Sequence, residues 1–217
     1  YALGQFFTEG GAQFVSDDGS KADGYINSDA SVKTAEYLNE FIKNGYANLD
    51  PVKDEFLNGK AATLLGGSWN IADLEKSNLN WGVSYFPVAD DGKAASPTGD
   101  WAAAITKDSK NPDAAGKFLQ WAMNSDNIAS YASAVAKPAS RTSSYEKMEG
   151  WDSGARALMK WQLQNTGVSR PRTPSYSVLS TDFSTAMLNI FSGSNAKDEL
   201  DNVAKNFDEN YEMYYKK

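Results

Sequence analysis

Apolar residues recur at helical spacing over several stretches of the chain and bunch into short runs elsewhere, a texture that predicts helices alternating with strands. Over 29–44, Val32, Ala35, Leu38, Phe41 and Ile42 share one stripe. Ser28 stands ahead of that stripe as an N-cap and Gly45 behind it as a stop, which predicts an amphipathic helix. The same spacing in Leu179, Phe183, Ala186 and Ile190 predicts a helix over 177–192, and Leu200, Val203, Phe207 and Tyr214 predict another over 196–215, with Gly193-Ser194 between them. Asn111-Pro112 supplies a cap and a first-turn proline for a helix over 112–124, Ser125 caps one to 135, and 152–165 reads as a further helix. Residues 1–9 read as a helix end stopped by Gly10-Gly11, Asp50-Pro51 opens a short helix ending at Gly59, and Ser68 caps a helix over 69–76. Compact apolar runs at 60–65, 81–88 and 101–106 predict strands, and short extended pieces at 13–15 and 25–26 flank the turn Asp17-Asp18-Gly19-Ser20. The polar stretches 89–97 and 137–142 read as crossings between substructures, and 168–174 is extended and stiffened by Pro171 and Pro174. The sum is an α/β arrangement with a partly parallel sheet, richer in helix toward the C-terminus.

Composition narrows the chemistry. The 217 residues contain neither histidine nor cysteine, which removes serine–histidine and cysteine–histidine nucleophile pairs, the usual zinc sites and any disulfide framework. No metal and no cofactor is expected. A net charge of −7 repels phosphate backbones, so nucleic acid is not an expected partner. The 41% hydrophobic content is that of a globular chain of one large or two small domains, and no apolar run approaches the roughly 18 residues needed to cross a bilayer. The sequence opens on Tyr1 without a basic or apolar leader, which reads as a processed or shortened chain.

Several catalytic-looking strings fail on their chemistry. Ser144-Tyr145-Glu146-Lys147 and Ser125-Asp126-Asn127 match two motifs of penicillin-recognising enzymes, but in reversed order and without the third. Asn58-Gly59-Lys60-Ala61 resembles the end of a phosphate loop, yet the upstream glycine is absent and Ala61 replaces the hydroxyl residue that would hold magnesium. A pair of carboxylates can hydrolyse a glycosidic bond without histidine, but Glu36, Glu40, Glu199 and Glu209 all fall on the solvent faces of predicted helices. The six tryptophans are more informative. Trp121 and Trp161, at helical spacing, read as core. Trp69 and Trp101 stand at turns beside glycines, where an indole is a rigid platform suited to the C–H face of a sugar ring. Ser68, Asn70 and Asp100 stand next to them as hydroxyl partners.

With these residues in view, the chain resembles the bacterial extracellular solute-binding proteins, the sugar-capturing subunits of ABC importers that include maltose-binding protein. The resemblance rests on Phe56-x-x-Gly59-Lys60-Ala61-Ala62, then Gly66-Gly67-Ser68-Trp69, then Gly82-Val83 with Pro87. It continues in Lys110-Asn111-Pro112-Asp113-Ala114-Ala115 with Phe118-Leu119, and in Arg170-Pro171-Arg172-Thr173-Pro174-Ser175-Tyr176 ahead of a helix ending in Phe191-Ser192-Gly193. It implies an α/β, periplasmic-binding-protein-like fold of two lobes closing on ligand. Residues 1–97 and 139–217 would form the C-terminal lobe, and 98–138 would pack on an N-terminal lobe whose remaining part is missing from this sequence. By position, Gly67, Ser68, Trp69, Asp100, Trp101, Arg172 and Tyr176 match the family's ligand-facing residues. Where the maltose-binding member has a second tryptophan platform, Ser180 and Thr181 stand here, which leaves the sugar unnamed. The implied protein is a non-catalytic carbohydrate-binding subunit with an oligosaccharide as ligand and membrane permease subunits as partners. It would be exported, either to the periplasm or as a lipoprotein anchored on the outer face of the cytoplasmic membrane. A carboxylate-pair glycoside hydrolase and a lectin-like surface module are the rival expectations.

Overall fold

The computed structural model describes residues 2–49, 54–88, 93–99 and 101–216. The chain divides into two compact units, one made of Tyr1–Lys53, Phe86–Pro97 and Val168–Lys217, the other of Asp54–Tyr85 and Thr98–Gly167.

The first unit is built on four helices, α1 (Ala2–Glu9), α2 (Asp29–Lys43), α7 (Tyr176–Phe191) and α8 (Ala196–Tyr214). The stripes that sequence periodicity marks on α2, α7 and α8 are buried except toward the ends of α2 and α8, where Phe41 and Tyr214 are exposed. Leu38 of α2, Leu179, Phe183, Ala186 and Ile190 of α7, and Leu200, Val203 and Phe207 of α8 fall in one core with Phe7, Val15 and Ile26. Phe7, Phe14 and Phe183 meet with ring centroids 5.0 to 5.8 Å apart, two of the three contacts edge to face, the arrangement that aromatic quadrupoles favour. Side-chain caps fix the helix starts: the Ser31 N–H donates to Ser28 Oγ and the Asp198 N–H to Asn195 Oδ1. Asp208 of α8 accepts the Ala22 and Asp23 N–H groups at 2.6 and 3.3 Å, which ties the turns before α2 to the C-terminal helix pair.

The second unit carries a 3₁₀ turn at Ser68–Asn70 running into α3 (Ile71–Lys76), then α4 (Pro112–Ala122), α5 (Ser125–Ala134), a second 3₁₀ turn at Thr142–Lys147 and α6 (Gly154–Asn165). Its compact centre is a small cluster of Ile128, Ala129 and Ala132 with Ala139, Tyr145, Met148 and Trp151. Ser144, fully buried, donates to the Ser125 carbonyl at 2.9 Å and locks the 3₁₀ turn onto the start of α5.

The helices follow the sequence reading closely, with small shifts. The cap of α5 is Asn124, whose Oδ1 accepts the Asn127 N–H at 2.9 Å, rather than Ser125. The helix expected over 69–76 opens with a 3₁₀ turn and becomes α-helical only at Ile71. The short helix expected from Asp50-Pro51 begins outside the described residues, and 54–59 form turns. The strands are the main difference. Among the described residues the regular strands are two two-residue pieces, β1 (Ser96–Pro97) and β2 (Gly167–Val168), whereas 60–65, 81–88 and 101–106 carry none. A strand exists only where a neighbouring backbone pairs with it. Leu64, Leu65, Val83, Tyr85 and Ile105 in those runs are exposed.

Candidate functional site

The turn at 66–70 is shaped by two glycines. A Cβ on Gly67 would stand 2.3 Å from the Trp69 ring, and one on Gly66 2.6 Å from Asn70 Oδ1, so both side chains fold back over backbone that only glycine leaves open. Asn70 closes the loop: its Oδ1 accepts the Gly67 N–H at 3.1 Å while its own N–H donates to the Gly67 carbonyl at 3.0 Å. The indole of Trp69 therefore lies across the Gly67 backbone and keeps 56% of its surface exposed. The turn is held from behind by α3, whose Ile71 and Leu74 are buried and whose Glu75 makes a two-pronged ion pair with Arg156 of α6, one arm at 2.8 Å. The Arg156 guanidinium holds the Glu75 carboxyl below its ordinary range.

Trp101 belongs to the same unit and is 92% exposed. Asp100 lies outside the described residues. Arg172 and Tyr176 belong to the first unit. There the turn at Gly19 backs onto Arg172: with φ at +72° a Cβ on Gly19 would stand 2.2 Å from the Arg172 carbonyl oxygen. Ser175, fully enclosed, donates to Asn210 Oδ1 of α8 at 3.0 Å, and the Arg170 guanidinium lies 5.8 Å from the centroid of the Tyr176 ring. The 170–176 segment is thus held from two sides, by the Gly19 turn and by α8, with the Arg170–Tyr176 contact inside it. Gly67, Ser68 and Trp69 come together in one turn.

Two tryptophans expected in the core are on the surface. Trp121 is 61% exposed because α4 buries none of its residues, and Trp161 is 45% exposed with its ring 4.8 Å from that of Tyr85. The sequence reading also missed the closing role of Asn70, whose signal was its place three residues after the second glycine. Among the described residues no cluster of acidic side chains has the arrangement of a metal site, and no helix is long and apolar enough to cross a membrane.

The chain belongs to the bacterial extracellular solute-binding protein family, whose model matches residues 2–159. It is 23% identical to the maltodextrin-binding protein MdxE of Bacillus subtilis (strain 168) over 93% of its own length and 52% of that protein's. It spans about half the length of this curated relative, a share that fits the C-terminal part. Among solved structures it is similar to the cyclic α-maltosyl-1,6-maltose binding protein of Arthrobacter globiformis, with a TM-score of 0.79 and 20% identity over 97% of this chain and 55% of that one. It is also similar to an ABC transporter solute-binding protein of Thermotoga lettingae bound with α-D-tagatose, with a TM-score of 0.80 and 20% identity over 97% of this chain and 56% of that one. The chain has the periplasmic-binding-protein-like fold in part, and within the described residues its helices are formed while its expected strands are not.

Proposed function

We propose that the chain is part of the substrate-binding subunit of a carbohydrate ABC importer, exported to the outer side of the cytoplasmic membrane and acting by capture rather than catalysis. The observation that carries this reading is the Trp69 indole, set half exposed across Gly67 where a Cβ would collide with the ring. A ring fixed in that way stacks on a sugar at little entropic cost, and Ser68 and Asn70 stand beside it for hydroxyl groups. The relatives that bind maltodextrin, a cyclic maltosyl-maltose and tagatose support a saccharide ligand. Trp101, Arg172, Tyr176 and Asp100 are assigned to the same ligand by position in the family pattern. Residues 1–97 and 139–217 are assigned to the C-terminal lobe of a longer protein and 98–138 to its N-terminal lobe, a reading supported by the open face of α4 at Phe118 and Trp121. The permease subunits are the remaining partners, and lipid anchoring belongs to the same proposal.

The test is a glycan-array screen on the longer protein followed by calorimetry with its best sugar. Trp69→Ala should lose about 1 to 3 kcal/mol of binding, by analogy with aromatic stacking on nucleobases, with the melting temperature held. A lowered melting temperature with unchanged affinity would mean that the indole is a packing element. Product formed from the bound glycan above a protein-free control would favour the hydrolase instead.

A further inference from the structure

Outside that site the first unit encloses an unusual polar group. Gln5 and Glu9 stand one turn apart on α1, each only 3% exposed, and Ala95 is equally enclosed. Gln5 Nε2 donates both to Glu9 Oε1 at 3.0 Å and to the Ala95 carbonyl, while the Ala95 N–H donates to the Glu9 carboxylate. Both backbone polar groups of one residue are thus gripped by two side chains of one helix. Phe86 packs edge-on against Phe6 of α1 with centroids 5.8 Å apart, so Phe86 and Ala95 are each fastened to α1. This stretch is where the chain returns to the first unit between two passages through the second. Among the described residues Gln5 Oε1 is a buried acceptor with no hydrogen-bond partner.

We propose that Gln5 and Glu9 form a proton-operated clasp that fixes the returning segment on α1 and grips it more firmly when the Glu9 carboxyl carries a proton. A protonated carboxyl contributes an O–H donor, which is what an enclosed group with an orphan acceptor lacks. Burial is the largest influence on Glu9 and raises its pKa above the usual 4.5; the bonds from Gln5 and Ala95 oppose it in part, and no cation helps them. Among the described residues of the neighbouring elements, no charged side chain compensates. Glu9 is the sole titratable residue of α1. On α2, Asp29, Lys33, Glu36, Tyr37, Glu40 and Lys43 are not buried, and the buried polar residues are Ser31, Thr34 and Asn39. On α7 the Asp182 carboxylate accepts from Asn206 of α8, and Tyr176 lies under Arg170. Lys93 on the returning segment is exposed.

The direction follows from linkage: the clasped form holds the proton more tightly than the open one, so protonation favours the clasp, and its grip weakens as pH rises from 4.5 through the raised value. Hydrogen exchange at the Ala95 amide, normalised to its intrinsic rate, reads this on the chain as it stands. Wild-type protection should fall across that window by tenfold for each pH unit separating the clasped and open pKa values. Glu9→Gln, which keeps an acceptor for the Ala95 N–H and cannot ionise, should hold its protection level throughout. A flat wild-type profile, or the same slope in Glu9→Gln, overturns the clasp. An NMR titration of the wild-type Glu9 carboxyl is a second measurement that does not depend on the variant folding, and a value at or below 4.5 overturns the clasp as well.

Discussion

The Trp69 indole owes its position to an absent methyl group. With a would-be Cβ at 67 only 2.3 Å from the ring, any residue but glycine there must displace the indole, and the ring can swing away more cheaply than the backbone can move. Gly67→Ala should therefore leave stability within about 1 kcal/mol of wild type, near the range of ordinary surface changes. Its sugar affinity should drop nearly as far as that of Trp69→Ala, and matched calorimetry on the two variants measures the comparison. Retained affinity in Gly67→Ala would show that the ring binds from another rotamer. Part of this was legible in the sequence: a tryptophan behind Gly66-Gly67-Ser68 stands at a turn, outside any apolar stripe. The Asn70 bond to the Gly67 N–H was not, because an asparagine at that offset serves equally as a cap, a turn residue or a surface group. Trp121 and Trp161 show the converse. Periodicity places a side chain on a helix face, but burial also needs a second element over that face, and sequence spacing carries no record of one.

At the scale of elements, helices were legible because their information is local: a cap, a stripe and a stop lie within some 15 residues of one another. The strands were not, since 60–65, 81–88 and 101–106 are apolar enough to pair but their ladders depend on backbone brought from elsewhere. Caps can be told apart only in the structure. Asn111 and Asn195 both precede a helix, yet the Asn195 side chain accepts the Asp198 N–H at 3.1 Å while Asn111 makes no capping bond from its side chain. Asn195→Ala should cost about 1 kcal/mol of stability. Asn111→Ala should cost a few tenths at most, because Pro112 at the first helical position already presets the backbone there. Denaturant melts of the two variants make the comparison, and equal losses would contradict the capping geometry.

Over the whole molecule, apolar burial is uneven. The first unit encloses a core running through four helices, whereas in the second the stretch from Thr98 to Met123 has Trp101, Ile105, Phe118, Trp121 and Met123 all exposed. Phe118 and Trp121, one helical turn apart on α4 with ring centroids 5.8 Å apart, form a contiguous aromatic pair on that surface. An apolar face of this kind lowers its free energy by finding a cover, at roughly 25 cal/mol per Å² removed from water. Two consequences are expected of the 217-residue chain by itself. Amides over 98–123 should exchange far faster than those of α7 and α8, because local opening there exposes little that is not already wet. The chain should also self-associate as its concentration rises, and Phe118→Lys with Trp121→Lys should reduce that association while leaving α7 and α8 protected. Light scattering and hydrogen exchange on both forms decide the matter. If wild type stays monomeric with 98–123 as protected as α8, that face is covered by this chain's own residues, and the assignment of 98–138 to a second lobe fails.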